Sequence, residues 1–306
     1  MSRLTLNQLE LLVAVVDSGS FSAAATTLDC TQSRISHAIA ELEQVVGTRL
    51  LQRTRSGCTP TAAGQQVLLK ARQILRIAAG IIPSVQADTR LSGIVRIACY
   101  RSIGTHLLPY VLEALAIDHP GIQIEIDDSS NDSRDVNQRM HGGQADIGIS
   151  SYDIPDGLIS KPYIYDMFSL ILPTALRYTT PVTWAQLAPL QYIQADTAAS
   201  QRVLAQCHLA GYPIVASRQM TSDSSILALV RQGLGYSILP RLAAFPTPPG
   251  VTTEVLPVHL QRPFLLILHP DTARQKVVQT VVRYLRDKQI IRQTEAWRHG
   301  VIGFNY

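Results

Sequence analysis

Polar side chains able to hydrogen-bond to nucleic acid stand together on one short predicted helix near the start of the chain. The helix begins after Thr31, and Ile35, Ile39 and Leu42 recur at the spacing of a buried stripe. The residues off that stripe are donors and acceptors suited to base edges and phosphates: Thr31, Gln32, Ser33, Arg34, Ser36 and His37. They would equally suit an ordinary solvated face, and on its own the pattern favours neither interpretation.

The segment after this helix is basic. Residues 46–61 are typical of a short hairpin with a Ser-Gly turn, and they contain Arg49, Arg53 and Arg55 but no acidic residue. A basic hairpin next to a recognition helix is a wing that contacts phosphates or the minor groove. The hairpin therefore favours DNA binding, through Arg53 and Arg55, over the solvated face.

A second set of candidate residues lies far along the chain, near the ends of predicted strands. In open α/β sheets these ends meet helix N-termini, whose free N–H groups bind anions. The set suits a small anion, such as a carboxylate: Arg101, Ser102, Thr105, Ser150, Ser151, Thr197, Ser200 and Thr221. The alternative is that each hydroxyl merely caps its own helix. Asp223 would repel an anion unless it faces outward.

The elements that position the first set are short helices. Apolar residues at helical spacing between residues 9 and 16 predict a first helix that Thr5 can cap. Phe21 starts a second, alanine-rich helix, and a turn at residues 29–31 leads into the third. Two short helices joined by such a turn form a helix-turn-helix, whose second helix is available for the major groove.

This N-terminal segment resembles the LysR-type bacterial transcription regulators without a gap from Gly19 to Gly64. The residues that carry the resemblance are Gly19-Ser20-Phe21, Ala24-Ala25, Leu28, Thr31-Gln32, Ser36, Ile39, Leu42-Glu43, Gly47, Leu50-Leu51-Gln52-Arg53 and Thr59-Pro60-Thr61-Ala62-Ala63-Gly64. The chain departs from the family at Ser33, where proline is usual, and at His37, where arginine or glutamine is frequent. These departures leave the predicted fold intact but prevent any prediction of the operator sequence.

A long linker helix is predicted from Thr61 until Pro83 ends it, and polar residues up to Arg90 make a hinge. Its apolar positions form a short heptad pattern: Val67, Ala71, Ile74, Ala78 and Ile81, flanked by Leu68, Leu75 and Ile82. The pattern suits pairing with a second chain or packing on its own domain. The family resemblance implies a homodimer through this helix, reading a pseudo-palindrome, and a homotetramer built from such dimers.

Beyond residue 90 strands and helices alternate, which predicts a mainly parallel, doubly wound sheet in two α/β lobes with a cleft between them. Among the helices, 105–117 and 271–291 are each expected to be continuous. This part resembles the two-lobed, periplasmic-binding-protein-like effector domain of the family. The resemblance rests on Gly104, Leu107-Leu108-Pro109, Asp146-Ile147-Gly148-Ile149 and Gly233-Leu234-Gly235-Tyr236-Ser237-Ile238-Leu239-Pro240.

Composition and motifs exclude several other classes. The 306 residues are 46% hydrophobic and 16% charged with a net charge of +4, which excludes a disordered chain and a polycationic tail. The chain has no apolar run long enough for a membrane span, and four scattered cysteines fit a reducing cytoplasm. It lacks the GxGxxG, Walker A, GxSxG and HExxH motifs, so we expect neither an enzyme nor a bound cofactor or metal.

Two alternatives to a ligand-responsive regulator need consideration. A two-lobed solute-binding protein would need export and would have no use for a winged helix. Peroxide-sensing members of the family use two nearby cysteines in the second lobe, whereas this chain has only Cys207 there. Modification of Cys30 or Cys58 remains conceivable, although a small buried hydrophobe is the simpler role for each.

The sequence thus predicts an N-terminal all-α winged helix-turn-helix with a long linker helix, and a C-terminal α/β two-lobed effector domain. The expected bounds are 1–60, 61–90 and 91–306, with lobe I at 91–166 and 269–306 and lobe II at 167–268. The resemblance implies a cytoplasmic transcription regulator whose partners are double-stranded DNA and a small effector. RNA polymerase is a further partner that the resemblance allows.

Overall fold

The computed structural model describes residues 3–54, 57–86, 91–176, 178–212 and 214–306. It divides into two compact units, which we treat separately. The first comprises Met1–Gly93 and His141–Ala145, and the second comprises Ile94–Met140 and Asp146–Tyr306.

The first unit is a bundle of short helices followed by a hairpin and a long helix. Its elements are α1 (Leu6–Asp17), α2 (Phe21–Thr27), α3 (Gln32–Val46), β1 (Leu51–Thr54), β2 (Gly57–Pro60) and α4 (Ala62–Gln86). Hydroxyl caps begin the first three helices, because Thr5, Ser20 and Thr31 each accept a hydrogen bond from a backbone N–H in the first turn. The predicted helix-turn-helix is confirmed.

The core of this unit explains the apolar spacing in its sequence. Leu9 and Leu12 of α1 pack with Ile35 and Leu42 of α3, and Leu50 closes the cluster before the hairpin. Each of these side chains is buried. Burying side chains of this size stabilises the unit by about 1.5–3 kcal/mol each. The alternation of buried and exposed positions leaves the opposite face of α3 to solvent.

Helix α4 has two different halves. Leu68 and Ala71 are buried in the core of the first unit, whereas Ile74 and Ile77 are 40% and 66% exposed. The prediction that Pro83 ends this helix is wrong, since α4 continues to Gln86. Proline disturbs a helix by removing one N–H donor and by crowding the carbonyl of the preceding turn, but Pro83 stands only three residues before the end of α4, so little of the helix depends on that turn.

The second unit has two lobes that share a long strand. Lobe I contains β3 (Gly93–Tyr100), α5 (Arg101–His106), α6 (Leu108–Asp118), β4 (Ile122–Ser130), α7 (Ser133–His141), β5 (Ile147–Ser150), β11 (Gln261–Leu268), α11 (Lys276–Leu285), α12 (Lys288–Gln293), α13 (Glu295–Arg298) and β12 (Ile302–Phe304). Lobe II contains α8 (Trp184–Leu187), β7 (Tyr192–Ala195), α9 (Ala198–Leu209), β8 (Ala216–Met220), α10 (Asp223–Arg231), β9 (Ser237–Pro240) and β10 (Val251–Val255). The shared strand is β6 (Ile159–Pro173).

The sheet directions correct one expectation. The main sheet has the order β10-β6-β11-β5-β3-β4, with β9 and β12 also paired to β6. The first half of β6 pairs antiparallel with β11 and β12, and its second half pairs antiparallel with β9 and β10. Among the strand pairs of described register, only β3–β5 and β7–β8 are parallel, so the mainly parallel sheet is wrong. The reason is that β6 leaves lobe I and β11 returns to it, so these neighbours run in opposite directions.

Two helices expected to be continuous are divided. The chain breaks at Leu107 between α5 and α6, because Pro109 has no N–H to continue the ladder. Arg286 and Asp287 separate α11 from α12, and the Asp287 carboxylate accepts a hydrogen bond from the Gln289 N–H at 2.7 Å to start the new helix. No single helix in the described residues is long and apolar enough to cross a membrane; α1 and α2 meet that test only as a pair bent by 116°.

Candidate DNA-recognition surface and effector cleft

The outward face of α3 carries the first predicted set. Gln32, Ser33, Arg34 and His37 are exposed, as is the N-cap Thr31, while Ser36 is half-buried. Ile35 and Ile39 between them are buried, so the helix presents a polar face of fixed orientation. The set predicted from the sequence is therefore on one surface of the first unit.

The polar side chains of this face differ in whether they already have partners within the protein. The Gln32 amide oxygen accepts a hydrogen bond from Ser22 at 3.2 Å, which points its NH₂ group away from α2. His37 lies 3.2 Å from Glu41 one turn along the helix. Within the described residues, the Arg34 guanidinium has neither a hydrogen-bond nor an ion-pair partner. Arg34 is thus the hydrogen-bond donor on this face that is most available to an outside acceptor.

Glu43 fixes the hairpin to the recognition helix, a role that the sequence did not reveal. Its Oε1 accepts hydrogen bonds from the backbone N–H groups of Leu50 at 2.7 Å and Leu51 at 3.2 Å. Gly64 lies against the Leu50 carbonyl, where an added Cβ would come within 1.9 Å of the oxygen. These contacts give physical reasons for two residues of the N-terminal signature.

The basic hairpin has the predicted strand pairing. Leu51 lies opposite Pro60 and Thr54 opposite Gly57, and the backbone of Arg53 pairs with that of Cys58. The side chain of Arg53 and the whole of Arg55 lie outside the described residues. The hairpin is thus a confirmed element, while its two proposed DNA contacts stay predictions.

The second predicted set lies in the two-lobed unit and is only partly assembled into one site. Arg101 and Ser102 begin α5, and the Arg101 guanidinium donates to the Ser129 carbonyl at 3.4 Å. The Thr105 hydroxyl donates to the Arg101 carbonyl at 2.9 Å. Ser150 is fully buried and donates to Asn137 at 2.9 Å, so its hydroxyl is already engaged.

On lobe II the candidates lie at two helix starts. Thr197 is the N-cap of α9 and accepts from the Ser200 N–H at 3.1 Å, as the capping alternative anticipates. Ser200 itself is buried in the first turn. Exposed Thr221 precedes α10, and its carbonyl accepts a hydrogen bond from Asn131 of lobe I at 2.7 Å. Ser151, just past β5, is fully buried, and its hydroxyl has no hydrogen-bond partner within the described residues.

Asp132 occupies the anion position that the sequence assigned to a ligand. This lobe I side chain is 5% exposed, and its Oδ2 accepts a hydrogen bond from the Ala198 N–H at the start of α9 at 2.6 Å. Its other oxygen accepts from the Arg134 N–H at 2.9 Å. Burial acts to raise the pKa of Asp132, but hydrogen bonds from the Arg134 side chain and from the Ala198 and Arg134 amides outweigh it and hold the pKa below its ordinary value. The bond between the lobes is therefore made by a carboxylate.

A third contact between the lobes involves Arg202 on α9. Its guanidinium forms an ion pair with Asp153 and lies 5.0 Å from the ring centre of Tyr152. Tyr152 and Asp153 both have left-handed backbones, with φ of 50° and 42°, which is rare for residues with a Cβ. A cavity of about 230 Å³ lies here, lined by Tyr152, Phe168, Ala199, Arg202, Val203, Gln206, Leu260 and Gln261.

A buried ion pair joins the two crossover strands. Arg262 of β11 donates to Asp166 of β6 from Nε at 2.9 Å and from Nη2 at 2.8 Å. Its guanidinium lies 4.6 Å from the ring centre of Phe264 and 5.4 Å from that of Tyr100. Burial raises the pKa of Asp223, although the positive charges of Arg262 and Arg101 act to lower it.

Cys207, the cysteine of the second lobe, lies in an environment that does not favour redox chemistry. None of the four cysteines forms a disulfide within the described residues, and Cys207 is fully buried. Burial raises the pKa of its thiol to about 11. A reactive cysteine needs an accessible, readily formed thiolate, so the environment of Cys207 opposes the redox alternative.

Comparison with known families accounts for nearly the whole chain. Residues 6–65 match the family described as bacterial regulatory helix-turn-helix protein, lysR family. Residues 88–289 match the family described as LysR substrate binding domain.

Two relatives are similar to this chain over most of its length. The chain is 37% identical to the probable HTH-type transcriptional regulator LrrA of Synechococcus elongatus over 85% of this chain and 88% of LrrA. It is 29% identical to the HTH-type transcriptional regulator YfeR of Shigella flexneri over 93% of this chain and 94% of YfeR.

Solved structures share the fold at low sequence identity. A full-length OxyR variant from Pseudomonas aeruginosa has a TM-score of 0.70 at 19% identity, covering 96% of this chain and 98% of its own. Full-length CbnR in complex with its target DNA has a TM-score of 0.63 at 20% identity, covering 92% of this chain and 99% of its own.

Proposed function

The chain belongs to the LysR family of transcriptional regulators, and we propose that a small carboxylate bound between its lobes controls its binding to operator DNA. The family's members bind DNA through the helix-turn-helix and carry an effector-binding domain. For this chain we further propose a cytoplasmic homodimer that assembles into a homotetramer and contacts RNA polymerase, with no catalytic step and no cofactor.

The DNA contact is proposed for the exposed face of α3. The observation that carries it is the unpartnered Arg34 guanidinium, within the described residues, beside Gln32 and Ser33 on a helix whose other face is buried. Arginine and glutamine side chains hydrogen-bond to guanine and adenine edges in the major groove. We assign Thr31, Ser36 and His37 to neighbouring base or phosphate contacts, and Arg53 and Arg55 to the wing.

The dimer is proposed to form through the second half of α4. Ile74 and Ile77 leave large apolar side chains in solvent, whereas Leu68 and Ala71 are already used by the unit's own core. The occupant that fits this face is the same helix of a second chain, because Ile74 belongs to the predicted heptad pattern and Ile77 adds exposed apolar surface less than one turn further along. A two-fold pair would present two α3 helices to a pseudo-palindromic operator.

The effector is proposed to compete with Asp132 for the start of α9. A ligand carboxylate that accepted the hydrogen bond of the Ala198 N–H would displace the Asp132 carboxylate from it. One hydrogen bond between the lobes would then be lost. Ser102, Thr105, Arg101, Ser200 and Thr221 would supply the remaining polar contacts, while Thr197 and Ser150 keep their structural hydrogen bonds. Displacing Asp132 changes how the lobes are held, so effector and operator affinities must be coupled reciprocally.

The test uses a fluorescent duplex from the region upstream of the protein's own gene, with a panel of small carboxylates added to the complex. An effector shifts the anisotropy titration of the wild-type protein. We expect the variant with Ser102→Phe and Thr105→Phe to keep its affinity for the duplex and lose that shift. A response that survives in the variant would place the ligand outside the cleft.

A further inference from the structure

A larger cavity lies in lobe I, at the opposite end of the crossover strands from the Arg262–Asp166 pair. Its volume is about 690 Å³, which is within the usual range for small-molecule sites, roughly 300–1,000 Å³. Ile159 and Leu268 are paired neighbours on β6 and β11 at its edge. The rest of the lining comes from β6, from α11 with the residues on either side of it, and from Tyr306: Lys161, Ala273, Arg274, Gln279, Val282, Arg283, Arg286, Asp287 and Tyr306.

The walls of this cavity are apolar. Leu268 and Val282 are buried at its base, and Ile159 remains 40% exposed at its edge. The Tyr306 ring forms a further wall, fixed because its hydroxyl donates to the Arg286 carbonyl at 2.5 Å. Such walls favour a ligand that carries an apolar body.

The rim is strongly basic. Lys161, Arg274, Arg283 and Arg286 line it, and none of them has an acidic ion-pair partner within the described residues. The Arg286 guanidinium lies 4.4 Å from the ring centre of Tyr306, and its Nε is buried without a hydrogen-bond partner in that part of the chain. A buried donor without an acceptor is costly, so an acceptor supplied by a ligand would stabilise this arrangement.

The acidic residue in the lining does not neutralise this rim. The Asp287 carboxylate is the N-cap acceptor of α12, bound to the Gln289 N–H at 2.7 Å. The cations therefore outnumber the acid four to one, and the acid is engaged with its own helix.

We propose that this cavity is a second ligand site, which binds an organic carboxylate with an apolar body. The carboxylate lies on the guanidinium groups of Arg283 and Arg286, where bidentate pairing is strong. The apolar body covers Leu268 and Val282. This site is independent of the cleft, since no residue is shared between the two linings.

The test is calorimetric titration of the full-length protein with 2-naphthoate as the probe and 2-naphthalenemethanol as its neutral counterpart. We expect the alcohol to bind at least about tenfold more weakly than the carboxylate, because a hydrogen bond to a charged group contributes roughly 1.5–3 kcal/mol. Arg283→Glu and Arg286→Met should each weaken 2-naphthoate by a similar factor. Arg283 is exposed, so its variant should fold normally, as circular dichroism will check.

Two control variants separate this site from a general charge effect and from the cleft. Arg218→Glu changes an exposed arginine of lobe II by the same charge and should leave 2-naphthoate affinity unchanged. The Ser102→Phe, Thr105→Phe variant should also bind the probe normally. Absence of binding, equal affinity for the alcohol, or an Arg283→Glu variant as tight as wild type would overturn the proposal. Loss of binding in the cleft variant instead would assign the probe to the cleft and leave the proposed function standing.

Discussion

At the scale of single residues, α3 carries one side chain proposed to contact DNA and another that holds the fold together. Arg34 points to solvent, whereas Glu43, on the same helix, binds two backbone N–H groups at the hairpin. These two hydrogen bonds attach the start of the hairpin to α3. Substituting Arg34 should therefore lower the affinity for DNA, whereas substituting Glu43 should lower the stability of the fold.

Replacing Arg34 by alanine should weaken binding to the native operator by about 1–3 kcal/mol if its guanidinium reads a base. Affinity for a scrambled duplex should change much less, because a base contact contributes only at the correct sequence. Fluorescence anisotropy at fixed salt measures both, with Arg218→Ala in lobe II as the charge-matched control. An operator affinity equal to wild type would remove Arg34 from the contact surface.

Sequence patterns predicted residues whose roles depend on their own helix and missed those whose partners are distant. Helical periodicity was enough to place Arg34 and Gln32 on the outer face of α3. Asp132 was missed because its partner, the Ala198 N–H, lies 66 residues further along the chain. Ser150 was assigned to the cleft because it ends a strand, yet in the structure its hydroxyl donates a hydrogen bond to Asn137.

At the scale of elements, α4 and the crossover strands β6 and β11 each contribute to more than one part of the molecule. Half of α4 belongs to the core of the first unit and half leaves isoleucines in solvent. In the second unit, β6 and β11 carry a buried ion pair where the chain passes between lobes. Substitutions in α4 should change how the chains associate, and substitutions in β6 should change the stability of the fold.

Glutamate at both Ile74 and Ile77 should separate chains that associate through α4, because two carboxylates would be buried in an apolar interface. Light scattering after size-exclusion chromatography should show the assembly mass halved. The matched control is Val255→Glu in lobe II, an apolar-to-acid change at a residue that is 80% exposed. An unchanged mass in the α4 variant would mean that the chains associate elsewhere.

Asp166→Asn should cost about 3–5 kcal/mol of unfolding free energy, because it leaves the Arg262 guanidinium buried without its countercharge. Adding Arg262→Met should recover part of that loss. Urea unfolding gives the unfolding free energy of the wild-type protein, of the Asp166→Asn variant and of the double variant. Glu125→Gln, which breaks the more exposed Arg96–Glu125 pair at 2.8 Å, should cost no more than about 1 kcal/mol. Equal losses from the two pairs would contradict the buried role of Asp166.

Element boundaries were predictable where a local signal marks them. The hydroxyl caps Thr5 of α1 and Thr31 of α3 can be read from the sequence, whereas the break before α6 was missed although Pro109 marks it. The strands β7, β10 and β12 were missed because three to five residues carry little periodicity. The antiparallel course of β6 and β11 was missed because alternation of strands and helices does not show which strands cross between lobes.

At the scale of the whole molecule, the proposed control depends on how tightly the two lobes are held without a ligand. Asp132 and Arg202 each bridge them, and the Asp132 bridge uses a helix start that an incoming carboxylate would need. Because the pKa of Asp132 is lowered in the folded protein, this bridge contributes stability above the ordinary aspartate pKa of about 3.9. It is lost only as the pH falls through the lowered value.

Replacing Asp132 by alanine should speed amide exchange in the first turn of α9, because the Ala198 N–H loses its acceptor. A hydrogen bond to a charged group contributes roughly 1.5–3 kcal/mol, so protection should fall by about tenfold or more. Hydrogen exchange measured by mass spectrometry at neutral pH reports the change. Asp156→Ala, at an exposed carboxylate of lobe I, should leave that segment as in wild type.

The most direct test of the account is binding of the purified protein to the region upstream of its own gene, run as a salt titration beside a scrambled duplex. We predict tight binding that prefers the native fragment and weakens steeply as salt rises, since phosphate contacts release counterions. Absence of binding to any duplex, even at low salt, would contradict the assignment of the α3 face and the hairpin to DNA.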